Sequence, residues 1–351
     1  MRPITFAYPG DLDTLTGGYG YDRRLIEALK AAGHTVTPLA LGDGFPDPDG
    51  PTLDGALSRL AAVPATTTLL VDGLAYGALP AEGLERVAAP IVAVVHHPLA
   101  LETGVAPDAA PAIAARERAA LTHARAVVVT SRHTRDTLVA DYGVAADAIH
   151  VAVPGLDGAW HQSTARRPAR PPRIVSVASI VPRKGFDILV AALAKVSDLA
   201  WNATIIGSLD RAPDAVVALA NQIAAAGLGR RIAFIGEAGQ AEIRAVYREA
   251  SLFALASRYE GFGMVFAEAM ASGLPIVATR GGAIPDVVPE TAGILVDVDA
   301  ADAFAAALRT VLTGPALSER LSAGAAAAAK TFDGWEETGA IVSRLVQELQ
   351  G

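Results

Sequence analysis

The feature that most restricts this chain is a rhythm in which short apolar runs alternate with segments of helical period, almost from end to end. In the first half the runs are Ile4–Tyr8, Val36–Leu41, Thr68–Asp72, Ile91–Val95, Ala126–Thr130 and Ile149–Val153. Several are apolar throughout, the pattern of parallel strands covered on both faces. Between them the spacing predicts helices over Tyr19–Ala32, Ala109–His123 and Ser131–Tyr142, with Gly33 closing the first and Ser131 capping the last. The rhythm stops at Gly158–Arg173 (GAWHQSTARRPARPPR), where proline and glycine breaks among arginines make linker composition. Its arginines, Arg166, Arg167, Arg170 and Arg173, either solvate a hinge or form a patch for anionic lipid.

A second series follows, with strands at Ile174–Ala178, Ala203–Gly207, Ile232–Gly236, Leu252–Ala256, Ile276–Thr279 and Ile294–Val296. Its helices are predicted at Phe186–Val196, Pro213–Ala226, Ala238–Ala250, Met264–Ser272, Ala300–Leu312 and Ala316–Ala329. The expected class is α/β: two Rossmann-like doubly wound domains, residues 1–160 and 174–332, joined by a linker at 161–173. They would face a central cleft, with ligands at the strand carboxyl ends. The 351 residues suit two domains, at a prior of roughly 100–200 residues each.

Composition narrows the function classes. Hydrophobic residues make up 52% and charged residues 19%, the balance of a globular protein. A formal net charge of -8 argues against a nucleic-acid partner, which needs a basic face. The absence of cysteine excludes disulfides, metal–thiolate sites and a cysteine nucleophile, and agrees with a cytoplasmic location. Met1–Asp13 lacks the apolar core of a secretory leader. The longest apolar stretch, Gly263–Ala278, is broken by Glu268 and Pro275 and is too short to span a bilayer.

The segment most loaded with chemistry runs from Ser257 to Pro275. Gly261 and Gly263 turn a strand into a helix whose first backbone N–H groups favour an anion such as a diphosphate. Glu268 lies inside that helix, flanked on its face by Met264, Val265, Ala271 and Ser272. A carboxylate there is either paired with an arginine or bound to something polar, such as ribose hydroxyls. Arg183 and Lys184 precede the first helix of the second half. Cations there oppose the helix dipole by about 0.3–1 kcal/mol each. Charge-assisted bonds to phosphate contribute about 1.5–3 kcal/mol each. The pair is therefore read as phosphate-binding, against the alternative of two solvated surface cations.

Glu260 and Glu268, separated by seven residues within EGFGMVFAEAMASGLPIVA, resemble the hallmark of glycosyltransferase family 4, the group 1 glycosyl transferases. These are retaining enzymes of the GT-B fold. Gly17-Gly18 after the first strand, His96 after the strand Ile91–Val95, Val153–Asp157 before the linker and Gly281–Pro285 extend the resemblance over nearly the whole chain. It implies transfer of a hexose from a UDP- or GDP-linked sugar to a hydroxyl acceptor, with no cofactor and no metal. Gly261, Phe262, Gly263, Met264 and Val265 would bind the donor, the amides of Gly261–Met264 contacting sugar and diphosphate. Glu260 would sit beside the sugar hydroxyls and Glu268 would hold the ribose. Lys184 would neutralise the diphosphate, His96 would reach the transferred sugar, and the Gly17-Gly18 loop would lie against the diphosphate. The resemblance also sends the final helix, Trp335–Leu349 within 333–351, back onto the N-terminal domain.

Ser179 stands where the family carries an arginine five positions before its lysine, and Arg183 is the candidate to supply that guanidinium. His96 is favoured over His97, because neighbours on an extended segment point to opposite sides. A nicotinamide site is not supported, since neither Gly261–Gly263 nor Gly17, Gly18 and Gly20 complete a G-x-G-x-x-G pattern. The triplets Asp11–Asp13, Asp47–Asp49 and Asp297–Asp299 match a metal-binding Asp-x-Asp only by form. A sugar-nucleotide epimerase or hydrolase on the same scaffold, and a non-catalytic nucleotide-sugar binder, stay as alternatives. Few aromatics and a negative charge favour a small soluble acceptor over a lipid. The loops Leu99–Pro107 and Asp43–Pro51 carry no motif that names it.

Overall fold

A computed structural model describes residues 3–102, 105–161 and 166–349. Each apolar run of the sequence forms a strand, and the chain divides into two compact units, Met1–Gly155 with Asp333–Gly351, and Leu156–Phe332.

The first unit holds β1 (Ile4–Tyr8), β2 (Val36–Ala40), β3 (Thr68–Asp72), β4 (Ile91–Val95), β5 (Ala126–Val129) and β6 (Ile149–Val151). They form one parallel sheet in the order β2-β1-β3-β4-β5-β6. The central strands β3, β4 and β5 are buried along their whole length, Thr68 and Asp72 of β3 included, whereas β2, interrupted by Thr37 and Pro38, occupies an edge where proline is tolerated. Apolar clusters cover both faces, one around Leu69, Val71, Tyr76 and Leu138, the other around Phe6, Tyr21, Leu25 and Val92. The final helix, Trp335–Glu348, adds Val342, Leu345 and Val346 to the second cluster. Gly339 lets it approach Ala28 closely, and His34 Nε2 meets Ser343 Oγ at 2.7 Å.

The second unit holds β7 (Arg173–Val177), β8 (Asn202–Ile206), β9 (Ile232–Gly236), β10 (Leu252–Leu255), β11 (Ile276–Thr279) and β12 (Gly293–Val296). These are again all parallel, in the order β12-β11-β10-β7-β8-β9, over a single large core.

Two readings change. The stretch Asp43–Pro51, a loop by its sequence, leads into a helix at Gly50–Ala61, capped by the Asp49 carboxylate, which accepts the Thr52 N–H at 2.8 Å. The segment 161–173 does not behave as a solvated hinge where it is described; residues 162–165 lie outside the described residues. Leu156 and Trp160, just before it, are buried in the second unit's core. The Arg166 guanidinium donates to the carbonyls of Gly273 (2.6 Å) and Ala250 (2.8 Å) and to Ser322 Oγ (3.0 Å). Arg173 starts β7 and pairs with Glu249 at 2.7 Å. The arginines that looked like solvent contacts include two that fasten the segment to the second unit. The other two, Arg167 and Arg170, are exposed. Residues 103–104 of the loop Leu99–Pro107 and 350–351 of the final segment also lie outside the described residues.

Candidate active site

In the second sheet the strand order reverses between β7 and β10. The loops leaving these neighbours carry Arg183-Lys184 and Glu260–Glu268, so the residues singled out in sequence emerge side by side at a switch point, where doubly wound sheets bind ligands. Beyond β7 a short turn, Pro182–Lys184, ends at Gly185 with φ 63°. A Cβ there would collide with the Ala256 carbonyl oxygen, so only glycine lets the two loops pack together. Beyond β10, Gly263 at φ 89° opens the helix Met264–Ala271. Phe262 turns its ring inward against Phe332, leaving its backbone for any ligand. Arg258 ties the loops together. Its N–H donates to the Arg183 carbonyl at 2.7 Å, and its guanidinium reaches Asp187 and Asp299, each at 2.7 Å.

At the centre is the Glu260 carboxylate, only 4% exposed. Lys184 Nζ donates to both of its oxygens at 2.7 Å, and Ser257 Oγ donates to Oε1 at 2.6 Å. Arg183 donates to the Tyr259 carbonyl at 2.9 Å, with the same nitrogen 3.7 Å from Glu260 Oε2. Burial alone would raise the Glu260 carboxyl, but the charges of Lys184 and Arg183 and the hydrogen bonds from Lys184 and Ser257 hold it below the usual range. Two cations against one carboxylate leave a single formal positive charge, suited to an anion.

Glu268 is partly buried on the helix beyond. Among the described residues no ion pair joins it to an arginine. Burial first, then the charge of Asp157, push its carboxyl up to about 8, against the weaker pull of Arg244. Arg244 lies over the Trp160 ring, 5.4 Å from its centroid. Tyr247, whose buried hydroxyl has no hydrogen-bond partner among the described residues, feels the charge of Glu268.

The first unit brings together a second constellation at its own switch point, between β1 and β3. Thr16 caps the helix Gly17–Ala31, so Gly17 and Gly18 are its first residues and not a free loop. A Cβ on Gly18 would stand 3.4 Å from His96 Cδ2, so alanine there would press on the imidazole. His96 Nε2 lies between two buried carboxylates, 3.2 Å from Asp22 Oδ1 and 3.3 Å from Asp72 Oδ2. The Tyr21 ring packs edge-on to the imidazole at 5.2 Å. His97 turns to a different partner, Glu102, at 2.8 Å. Burial would lower the imidazole, but Asp22 and then Asp72 push it up to about 10. Burial and the charge of Asp72 push Asp22 up to about 8 despite His96. Burial opposes ionisation of Asp72, yet His96, Asp22 and the Leu74 N–H hold it below the usual range. The three donor groups are close enough to surround an ion, but their separations are hydrogen-bond distances that a proton fills.

Sequence reasoning missed Asp22, Asp72, Ser257 and Arg258. One signal was present for Asp22: it shares an apolar helix face with Leu25, Ile26 and Leu29. Asp72 ends an otherwise apolar strand, where it is indistinguishable from a turn residue.

Comparison with known proteins decides the family. The family model for Glycosyl transferases group 1 matches residues 161–328, and that for Glycosyltransferase Family 4 matches residues 21–160. The chain belongs to this glycosyltransferase family. Among its relatives, a D-inositol 3-phosphate glycosyltransferase of Xylanimonas cellulosilytica is 32% identical over 230 residues, 61% of this chain and 55% of that protein. D-inositol 3-phosphate glycosyltransferase 1 of Catenulispora acidiphila is 31% identical over 271 residues, 71% of this chain and 64% of that one. The matched region is thus less than two thirds of either curated relative. A sucrose-phosphate synthase from Thermosynechococcus elongatus superposes with a TM-score of 0.83 at 22% identity, covering 99% of both chains. Anabaena Alr3699/HepE, solved with UDP-glucose, does so with a TM-score of 0.76 at 20% identity, covering 98% of this chain and 99% of that one. These likenesses show that the chain has the GT-B fold. No helix among the described residues is long and apolar enough to cross a membrane.

Proposed function

We propose that this chain is a retaining glycosyltransferase that moves a hexose from a nucleoside diphosphate sugar to a hydroxyl of a small soluble acceptor. The observation that carries the reading is the cluster of Lys184, Arg183, Ser257 and Glu260 at the switch point of the second sheet, with Glu268 on the helix that follows. Its formal positive charge suits a diphosphate, and Glu268 suits two ribose hydroxyls. The UDP-glucose bound by the Anabaena protein makes a UDP-hexose the first donor to try. The relatives' name makes a polyol or its phosphate the first acceptor.

In the reaction, the bond from sugar C1 to the diphosphate breaks as the acceptor oxygen bonds to C1 from the same face. The acceptor's proton passes to the departing phosphate oxygen. Lys184 and Arg183 stabilise the charge that develops on that diphosphate, the kind of electrostatic contribution that usually dominates catalysis. Glu260 fixes Lys184, and His96 donates to a hydroxyl of the transferred sugar. No step in this scheme needs a metal or a cofactor.

The test is product analysis with UDP- and GDP-hexoses, with and without polyol and sugar acceptors. An acceptor glycoside that keeps the donor's anomeric configuration supports the reading. Free sugar alone, at a rate no acceptor alters, marks a hydrolase, and an isomerised nucleotide sugar marks an epimerase.

A further inference from the structure

The two aspartates around His96 have no part in the reading above, yet they are the most deeply buried acids in the first unit's constellation. Asp22 is fully buried and Asp72 is 2% exposed. Asp72 Oδ1 accepts the Leu74 N–H at 2.7 Å, and its Oδ2 lies 3.3 Å from His96 Nε2. Asp22 Oδ1 lies 3.2 Å from the same nitrogen, while Asp22 Oδ2 is buried with no hydrogen-bond partner among the described residues. One oxygen of each carboxyl and a ring nitrogen of His96 lie within 4.8 Å of one another. A buried oxygen left unpaired costs roughly 1–3 kcal/mol. A proton on Asp22 gives that carboxyl a donor and removes one of the two negative charges that burial disfavours. The proton on Nε2 then lies between the Asp22 carboxyl and the Asp72 carboxylate, and the cluster of Asp22-H, Asp72⁻ and His96⁺ is electrically neutral.

We propose that Asp22 and Asp72 are positioning residues that keep the His96 imidazole doubly protonated and present its Nδ1–H as a fixed donor to the ligand. Nε2 faces the two carboxylates, which leaves Nδ1 as the ring nitrogen with no protein partner among the described residues, and the side chain is 17% exposed. The titratable groups facing the ring are Asp22 and Tyr21 from the helix Gly17–Ala31 and Asp72 from the end of β3. The Tyr21 hydroxyl is occupied, donating to the Ala152 carbonyl at 2.9 Å. The charge state stands on this geometry alone; its use toward the donor sugar rests on the function proposed above. A histidine held in this way cannot act as a general base, which assigns it to sugar recognition and to charge stabilisation.

The experiment is a pH titration of the ¹⁵N-labelled full chain by two-bond ¹H–¹⁵N spectroscopy, with the His96 signals identified by their loss in His96→Asn. Both ring nitrogens should stay protonated from pH 5 to 9. In Asp72→Asn, an isosteric change that keeps a cap for Leu74, the midpoint should fall by roughly 1–3 pH units. Asp22→Asn should lower it less. For kcat/KM, the wild type should show no His96 limb below pH 9, and Asp72→Asn should gain one. A wild-type midpoint below 7, or one unmoved in Asp72→Asn, overturns the proposal. So does stoichiometric binding of Zn²⁺ alone that Asp72→Asn abolishes, because a cation would then fill the place given to the proton. The spectroscopic arm needs neither donor nor acceptor, so its failure is separable from failure of the proposed reaction.

Discussion

Lys184 grips both oxygens of a carboxylate that has almost no contact with water, and this fixes its ammonium more firmly than a solvated lysine could be fixed. Such preorganisation lets one charge matter in a transition state. Lys184→Ala should lower kcat by roughly 10²–10³-fold. It also leaves Glu260 buried with Arg183 and Ser257 alone, so the melting temperature belongs beside the kinetics. A folded variant with near-normal kcat would remove Lys184 from the chemistry. Glu268 makes a different prediction. Its carboxyl, pushed up to about 8, is largely protonated at neutral pH, yet two ribose hydroxyls are best met by the ionised form. Binding therefore expels a proton, and affinity for UDP should rise with pH and level off above that value. Between pH 7 and 9 the gain should be about tenfold. Calorimetry in buffers of different ionisation heat checks it, and a pH-independent affinity, or one unchanged in Glu268→Gln, would count against the ribose contact.

At the scale of elements, the turn after β7 works only because Gly185 adopts φ 63° against the Ala256 carbonyl. Gly185→Ala adds left-handed strain of about 1–2 kcal/mol to a steric overlap of similar size. The expected result is a loss of roughly 2–4 kcal/mol of stability and a donor KM that rises with it, because Lys184 shifts with the turn. Urea unfolding together with donor kinetics reads both, and unchanged stability would show that the loops give way without strain. This turn also shows where the chain was legible. Strands could be read because parallel strands buried on both faces need unbroken apolar runs, as in Leu69–Val71 and Val92–Val95. The Glu260–Glu268 segment could be read because its chemistry is local in sequence. The helix Gly50–Ala61 was hidden by Gly55 and by a proline that reads as a break until Asp49 is seen to cap it. Asp22, Asp72 and His96 were not legible as a set, because fifty and then twenty-four residues separate partners that only the sheet order brings together. Arg166 was hidden for the same reason: its neighbours in sequence say solvent, and the distant oxygens of Ala250, Gly273 and Ser322 say otherwise.

For the whole molecule, the two units have separate apolar cores, and Arg183, Lys184, Glu260 and Glu268 all lie in the second. Chains of this kind depart from two-state unfolding, so a heat-capacity trace should resolve into two components. A ligand at a hundred times its dissociation constant adds about 2.7 kcal/mol to whichever folded unit it binds. For a unit of this size that is a rise of several degrees. UDP, GDP, ADP, TDP and NAD, each tested without added metal, should therefore separate cleanly. One nucleoside diphosphate should raise one component and NAD should raise neither. Glu268→Ala and Lys184→Ala should each weaken the shift, whereas Asp72→Asn, in the other unit, should leave it in place. A shift with NAD would overturn the assignment of the second unit to nucleotide sugars. A shift lost in Asp72→Asn would mean that the base and phosphates of the donor are not held by the second unit on its own.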